Sequence, residues 1–127
     1  MKKFIEMKTK QEIIKETKQY YLTHRRGINP ITNTCKYYIK GGAKCAVGRC
    51  VENPKALPEC RMGDAVDEFD DLDSFLKPEY RGHDSDFWQM LQSFHHGIGL
   101  WLKTKRGNSL TPLGEQRYQK LLTQYAD

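Results

Sequence analysis

Asp84-Ser85-Asp86-Phe87-Trp88-Gln89-Met90-Leu91-Gln92-Ser93-Phe94-His95-His96-Gly97-Ile98-Gly99-Leu100-Trp101 is the stretch on which the reading of this chain turns. Phe87, Leu91, Phe94, Ile98 and Trp101 recur every three to four residues, the spacing that lines one face of an α-helix with apolar groups. Trp88 and His95 flank that stripe. Asp84 or Ser85 opens the helix, and Gly97 with Gly99 predicts a break or kink near its middle. Burying side chains of this size is worth roughly 1.5–3 kcal/mol each, so this helix anchors the fold.

Downstream, Lys103–Asn108 reads as a basic turn. Leu110-Thr111-Pro112 then opens a last helix with Thr111 as N-cap and Pro112 at its first position, and Tyr118, Leu121, Leu122 and Tyr125 form its buried face. Upstream, Asp67-Glu68-Phe69-Asp70-Asp71-Leu72-Asp73 lacks the alternating oxygen ligands and central glycine of a calcium loop and reads as a solvated acidic face. Asp64 caps a short helix carrying Ala65, Val66 and Phe69. Residues 53–63 form an irregular loop containing Pro54, Pro58 and Cys60.

Nearer the N-terminus, Thr9-Lys10-Gln11-Glu12 has the form of a capping box, and Ile13, Ile14, Thr17, Tyr20 and Tyr21 follow at helical spacing. This predicts a helix over 9–23, ended by Arg25-Arg26-Gly27 with glycine as its stop. Asn29-Pro30 and Asn33 turn the chain into a strand at Cys35–Lys40. Gly41-Gly42 makes a tight turn, and a short helix runs from Cys45 to Val51, where Asn53-Pro54 stops it. The expectation is one mostly helical α+β domain over residues 1–127, with a small two-stranded element around 35–44.

The composition suits such a domain: 38% of the 127 residues are hydrophobic and 11% aromatic. No apolar run approaches the roughly 18 residues of a membrane helix. Met1-Lys2-Lys3-Phe4-Ile5-Glu6 has the basic opening of a signal peptide without its apolar region, so a cytoplasmic protein with reduced or metal-bound cysteines is expected. Charge is unevenly spread. Residues 1–50 hold twelve Lys or Arg against three Asp or Glu, residues 51–90 four against eleven, and residues 91–127 five against two. A basic first segment of this kind suits nucleic acid or an acidic partner, or lies against the acidic segment of its own fold.

Three chemistries are open to these residues. Cys45, at a helix N-terminus, would be held as a thiolate by unpaired N–H groups, and His95 beside the apolar stripe would serve as its base for acyl or related transfer. Gln92, one turn before His96, would be a hydrogen-bonding neighbour. Cys35, Cys45, Cys50 and Cys60 lie at C-x9-C-x4-C-x9-C spacing, at the permissive edge of a zinc site, and buried thiols fit the same pattern. Arg25, Arg26, Lys36, Lys40, Lys44 and Arg49, interleaved with Tyr37 and Tyr38, form a set that could hold phosphates and stack on bases.

Two resemblances add to this. Lys103-Thr104-Lys105-Arg106-Gly107-Asn108-Ser109-Leu110-Thr111-Pro112-Leu113-Gly114 resembles the wing of some winged-helix regulators, in which a Leu-Thr-x-x-Gly run precedes the last helix, although no helix-turn-helix pair is evident before it. Cys45-Ala46-Val47-Gly48 followed by Leu91-Gln92-Ser93-Phe94-His95 resembles a family of small uncharacterised phage and bacterial proteins. His96 stands where that family has aspartate, so an orienting carboxylate for His95 is missing there. The resemblance implies a small intracellular accessory protein, phage-encoded, and carries no assigned activity. The functional expectation is a cytoplasmic protein that binds a macromolecular partner, with no cofactor and no membrane. Cys45–His95 catalysis and nucleic-acid binding through the basic N-terminal segment are the alternatives.

Overall fold

Thr9 and Glu12 close the capping box: the Thr9 hydroxyl accepts from the Glu12 N–H at 3.2 Å, and the Glu12 carboxylate accepts from the Thr9 N–H at 3.1 Å. Helix α1 then runs Lys10–Tyr21 and buries Ile13, Ile14, Thr17 and Tyr21. The computed structural model describes residues 6–27, 43–53, 71–97 and 99–126. Among these, α2 is the short helix Leu72–Phe75, α3 runs Ser85–His96 and α4 runs Pro112–Gln124. The fold is mostly helical α+β, with one antiparallel pair of strands, β1 (Trp101–Lys103) and β2 (Asn108–Leu110).

α1, α3 and α4 pack against one another, and Phe87, Trp88, Leu91, Phe94, Tyr21, Ile13, Ile14 and Leu121 fill the space between them. Val51 and Leu76 form an isolated antiparallel bridge that carries the 50s segment across to α2. Its rungs run from the Glu52 N–H to the Phe75 carbonyl and from the Lys77 N–H to the Cys50 carbonyl, each at 2.9 Å.

The structure corrects four sequence expectations. α1 stops at Tyr21, with Leu22 as C-cap, six residues before the glycine expected to end it. α3 stops at His96, so Trp101 belongs to a strand and the glycines end the helix where a kink was expected. Gly99 has φ +79°, a left-handed conformation that disfavours an L side chain. The two-stranded sheet brackets the basic turn 103–108, whereas most of the element expected around 35–44, and the helix capped by Asp64, lie outside the described residues. The helix expected over Cys45–Val51 shrinks to a 3₁₀ turn at Gly48–Cys50.

Each long helix ends with carbonyls that its own backbone leaves unpaired. Asn108 of β2, only 7% exposed, donates through Nδ2 to the carbonyls of Tyr21 at 2.9 Å and His24 at 2.8 Å. At the end of α3, the Trp101 indole donates to the Phe94 carbonyl at 2.9 Å and Arg26 donates to that of His95 at 3.0 Å. At the start of α4 the Leu-Thr-x-x-Gly run has a clear physical role. Thr111 accepts from the Gly114 N–H at 3.0 Å and donates to the Gly99 carbonyl at 2.5 Å. A Cβ on Gly114 would overlap the Leu100 carbonyl oxygen, so only glycine lets α4 sit this close to β1.

Asn108→Ala removes the donor to the buried Tyr21 carbonyl at the end of α1 and to the part-buried His24 carbonyl just beyond it, and losing the donor of a buried acceptor costs about 1–3 kcal/mol. Urea unfolding is expected to show a loss of at least that size for N108A, against less than about 0.5 kcal/mol for S109A on the neighbouring rung.

Candidate functional site

The Cys45 segment is built by a short run of turns. The Arg49 N–H reaches back to the Cys45 carbonyl at 3.0 Å and the Cys50 N–H to that of Val47 at 2.8 Å. Cys45 stands at the head of this turn, and its Sγ accepts from the Gly48 N–H at 3.3 Å, as an N-cap oxygen would. Gln92 comes in from α3: its Nε2 donates to Cys45 Sγ at 3.2 Å while its Oε1 accepts from the Val47 N–H at 3.1 Å. Because a backbone N–H can only donate, the Val47 contact decides which way this amide points. The expected partnership of Gln92 with His96 reduces to the i,i+4 contact between His96 Nδ1 and the Gln92 carbonyl at 2.9 Å.

His95 is wholly buried, as is Cys45. Its Nε2 accepts from the Gly27 N–H at 3.1 Å, which places the ring proton on Nδ1. Burial first, then the nearby charges of Arg26 and His96, hold the imidazole well below its ordinary range, so the ring is neutral. Tyr21 lies against it with ring centroids 4.7 Å apart, and the Tyr21 hydroxyl donates to the Lys44 carbonyl at 2.5 Å. Gly27 joins the two candidate residues. Its N–H binds His95, and a Cβ there would overlap Cys45 N and Lys44 C. That close approach is the role of the glycine read from the sequence as a helix stop.

Cys45 and His95 therefore share one neighbourhood, but their chemistry is inward-facing. A thiolate–imidazolium pair needs a ring that holds a second proton, and burial beside Arg26 opposes that. The backbone N–H of Gly27 already occupies the ring nitrogen that would accept the proton.

The remaining candidates divide. Of the phosphate-binding set, Arg25 is exposed and Lys44 is half-buried, its backbone bridged to that of Arg26, whereas the Arg26 side chain turns to the His95 carbonyl. Arg49, read as a phosphate contact, has a side chain only 8% exposed and an ion pair to Glu16 at 2.5 Å. Lys36 and Lys40 lie outside the described residues, as do Cys35 and Cys60 of the zinc set. Cys50 is buried with its Sγ donating to the Ala46 carbonyl at 3.5 Å, and burial pushes its thiol up to about 12. Among the described residues no three His, Cys, Asp or Glu side chains gather as a metal ion would require.

The sequence reading missed the polar cluster that receives Arg49. Glu16 on α1 accepts from Arg49, Tyr80 and Lys8, and Arg49 also reaches Thr17 at 3.4 Å and lies over the Tyr20 and Tyr80 rings. Its signal was present: Glu16 follows Ile13 by three residues and precedes Tyr20 by four, a charge on the inward face of an amphipathic helix. Burial would raise the Glu16 carboxyl, but hydrogen bonds from Lys8, Tyr80 and Arg49 outweigh it and hold it at about 2. No protein-family model, curated protein or solved structure matches the chain.

Two outcomes follow from this geometry. A carboxyl whose folded value lies below its unfolded 4.5 adds stability that is complete above that pH and lost as pH falls toward 2. Wild-type urea stability is expected to decline through this range more steeply than that of Glu16→Gln, which lacks the contribution already at pH 7. Gly27→Ala drives a methyl into the Cys45 backbone, and overpacking of this kind costs about 1–3 kcal/mol, measurable as a lowered urea midpoint.

Proposed function

We propose that this protein is a non-catalytic accessory factor that acts by binding a macromolecular partner, with Cys45 and His95 as parts of its framework. The observation that carries this reading is the use made of the pair. Cys45 Sγ takes hydrogen bonds from Gly48 and Gln92, His95 Nε2 takes one from Gly27, and both side chains have no solvent exposure. Three separate chain segments are joined through these bonds, which is what a structural polar cluster does in a core. A net charge of +5, with exposed cations at several places, favours steered association with an acidic partner. On this reading the protein works in the cytoplasm. Its likeness to small phage and bacterial proteins makes a phage-encoded factor the origin we adopt.

The test is thiol labelling of the folded chain by iodoacetamide, followed residue by residue by mass spectrometry between pH 6 and 9. Cys45 is expected to label slowly in the native state, limited by opening of the fold, and rapidly in urea. Fast, selective labelling of native Cys45 would overturn the reading in favour of a cysteine nucleophile.

A further inference from the structure

We propose that the β1–β2 hairpin tip, with Arg25 beside it, is a nucleic-acid contact surface that grips the phosphate backbone. This rests on the binding reading above and names the class of partner. Lys103, Lys105 and Arg106 place three cations within four residues, and all three are exposed, as is Arg25. Among the described residues the ion pairs are Lys8–Glu16, Lys10–Asp84, Lys18–Glu115 and Arg49–Glu16, so none of these four cations is neutralised by one.

The tip is also held in shape. The Thr104 N–H donates to the Gly107 carbonyl at 2.9 Å, and the Gly107 N–H returns to the Thr104 hydroxyl at 3.1 Å, closing the loop. Gly107 seats the loop on the end of α1, where a Cβ would come within 2.7 Å of the Leu22 carbonyl oxygen and 2.8 Å of His24 N. Asn108 ties the same spot to the Tyr21 and His24 carbonyls, and Arg25 follows directly in the chain. Four cations are thus carried by backbone fixed at both ends, so little ordering is needed when a polyanion binds.

Shape selects among polyanions. A two-stranded ribbon with a narrow charged tip fits a nucleic-acid groove, and the cations then meet phosphates at its edges. An anionic membrane would call for a broad apolar face, whereas the exposed tip carries only Leu102, 58% exposed, as a large apolar group. The sequence placed the nucleic-acid surface on Arg25, Arg26, Lys36, Lys40, Lys44 and Arg49. With the Arg26 and Arg49 side chains engaged internally, the described part of that surface centres on the hairpin and keeps Arg25.

The experiment is fluorescence anisotropy of a labelled 20-base-pair DNA duplex and of a single-stranded RNA of the same length, titrated with the full chain across a salt series. Vesicles of phosphatidylserine and phosphatidylcholine are assayed alongside by sedimentation. Binding to at least one nucleic acid is expected, weakening steeply with salt. K105E/R106E should lower affinity at least about tenfold, and K105Q/R106Q should reduce the salt slope by about two, the loss of two phosphate contacts. Lys15→Glu, an exposed site on α1 outside the hairpin, should change affinity by less than about threefold, since it removes none of the proposed phosphate contacts. Circular dichroism verifies that each variant is folded, and the neutral pair serves where the reversed pair is not. The proposal is overturned if neither nucleic acid binds at low salt, if K15E weakens binding as much as the hairpin variants, or if only vesicles bind. Any of these with slow native Cys45 labelling leaves the binding reading standing without this site, and fast labelling removes that reading whatever the hairpin does.

Discussion

The unpaired carbonyls at the C-terminal ends of α1 and α3 are the constraint around which the described structure is arranged. A helix end without partners in a packed interior loses free energy for each carbonyl it strands. Here the donors come from far along the chain: Asn108 closes α1, while Trp101 and Arg26 close α3. These bonds make the hairpin a structural brace. They explain why Gly107 and Asn108 follow one another, since the glycine permits the approach and the asparagine supplies the donors.

Docking the end of α1 in this way decides what lies beneath it. The chain leaving α1 passes through Arg26 and Gly27, whose N–H reaches His95 and whose lack of a side chain admits the Cys45 backbone. On α3, three residues apart, Gln92 holds the Cys45 segment and His95 holds Gly27. The thiol accepts from the Gly48 N–H and the Gln92 amide, and the imidazole accepts from the Gly27 N–H, so both side chains bond to the surrounding chain.

The Glu16 cluster does comparable work between α1 and the segment that carries Arg49 and Tyr80. One carboxylate receives an arginine, a lysine and a phenol, so a half-buried charge is compensated on several sides. Burial, together with the bond it gives to Glu16, pushes the Tyr80 phenol up, so it remains a donor at ordinary pH. The same cluster removes Arg49 from the protein surface. Charge segregation along the sequence is thus partly internal, since Arg49 of the basic first segment meets Glu16 of that same segment.

The features legible in the sequence are those set by interactions within three or four residues. The Thr9–Glu12 box, the Thr111–Pro112 start and the apolar repeats of α1, α3 and α4 all follow from helical geometry, and the mostly helical α+β class follows from them. The tertiary structure alone decided the end of α3 at His96, the strand at Trp101, the inward turn of Arg49 and the tasks of Gln92 and Gly27. Periodicity carried the apolar stripe past Gly97 because Ile98 and Trp101 continue its spacing, and nothing local says that Trp101 is wanted as a donor to Phe94. Each of these outcomes depends on a partner distant in sequence, as when Asn108 meets Tyr21 across 87 residues. Residue type records that a group can donate, accept or carry charge, and only the folded chain determines which group it meets.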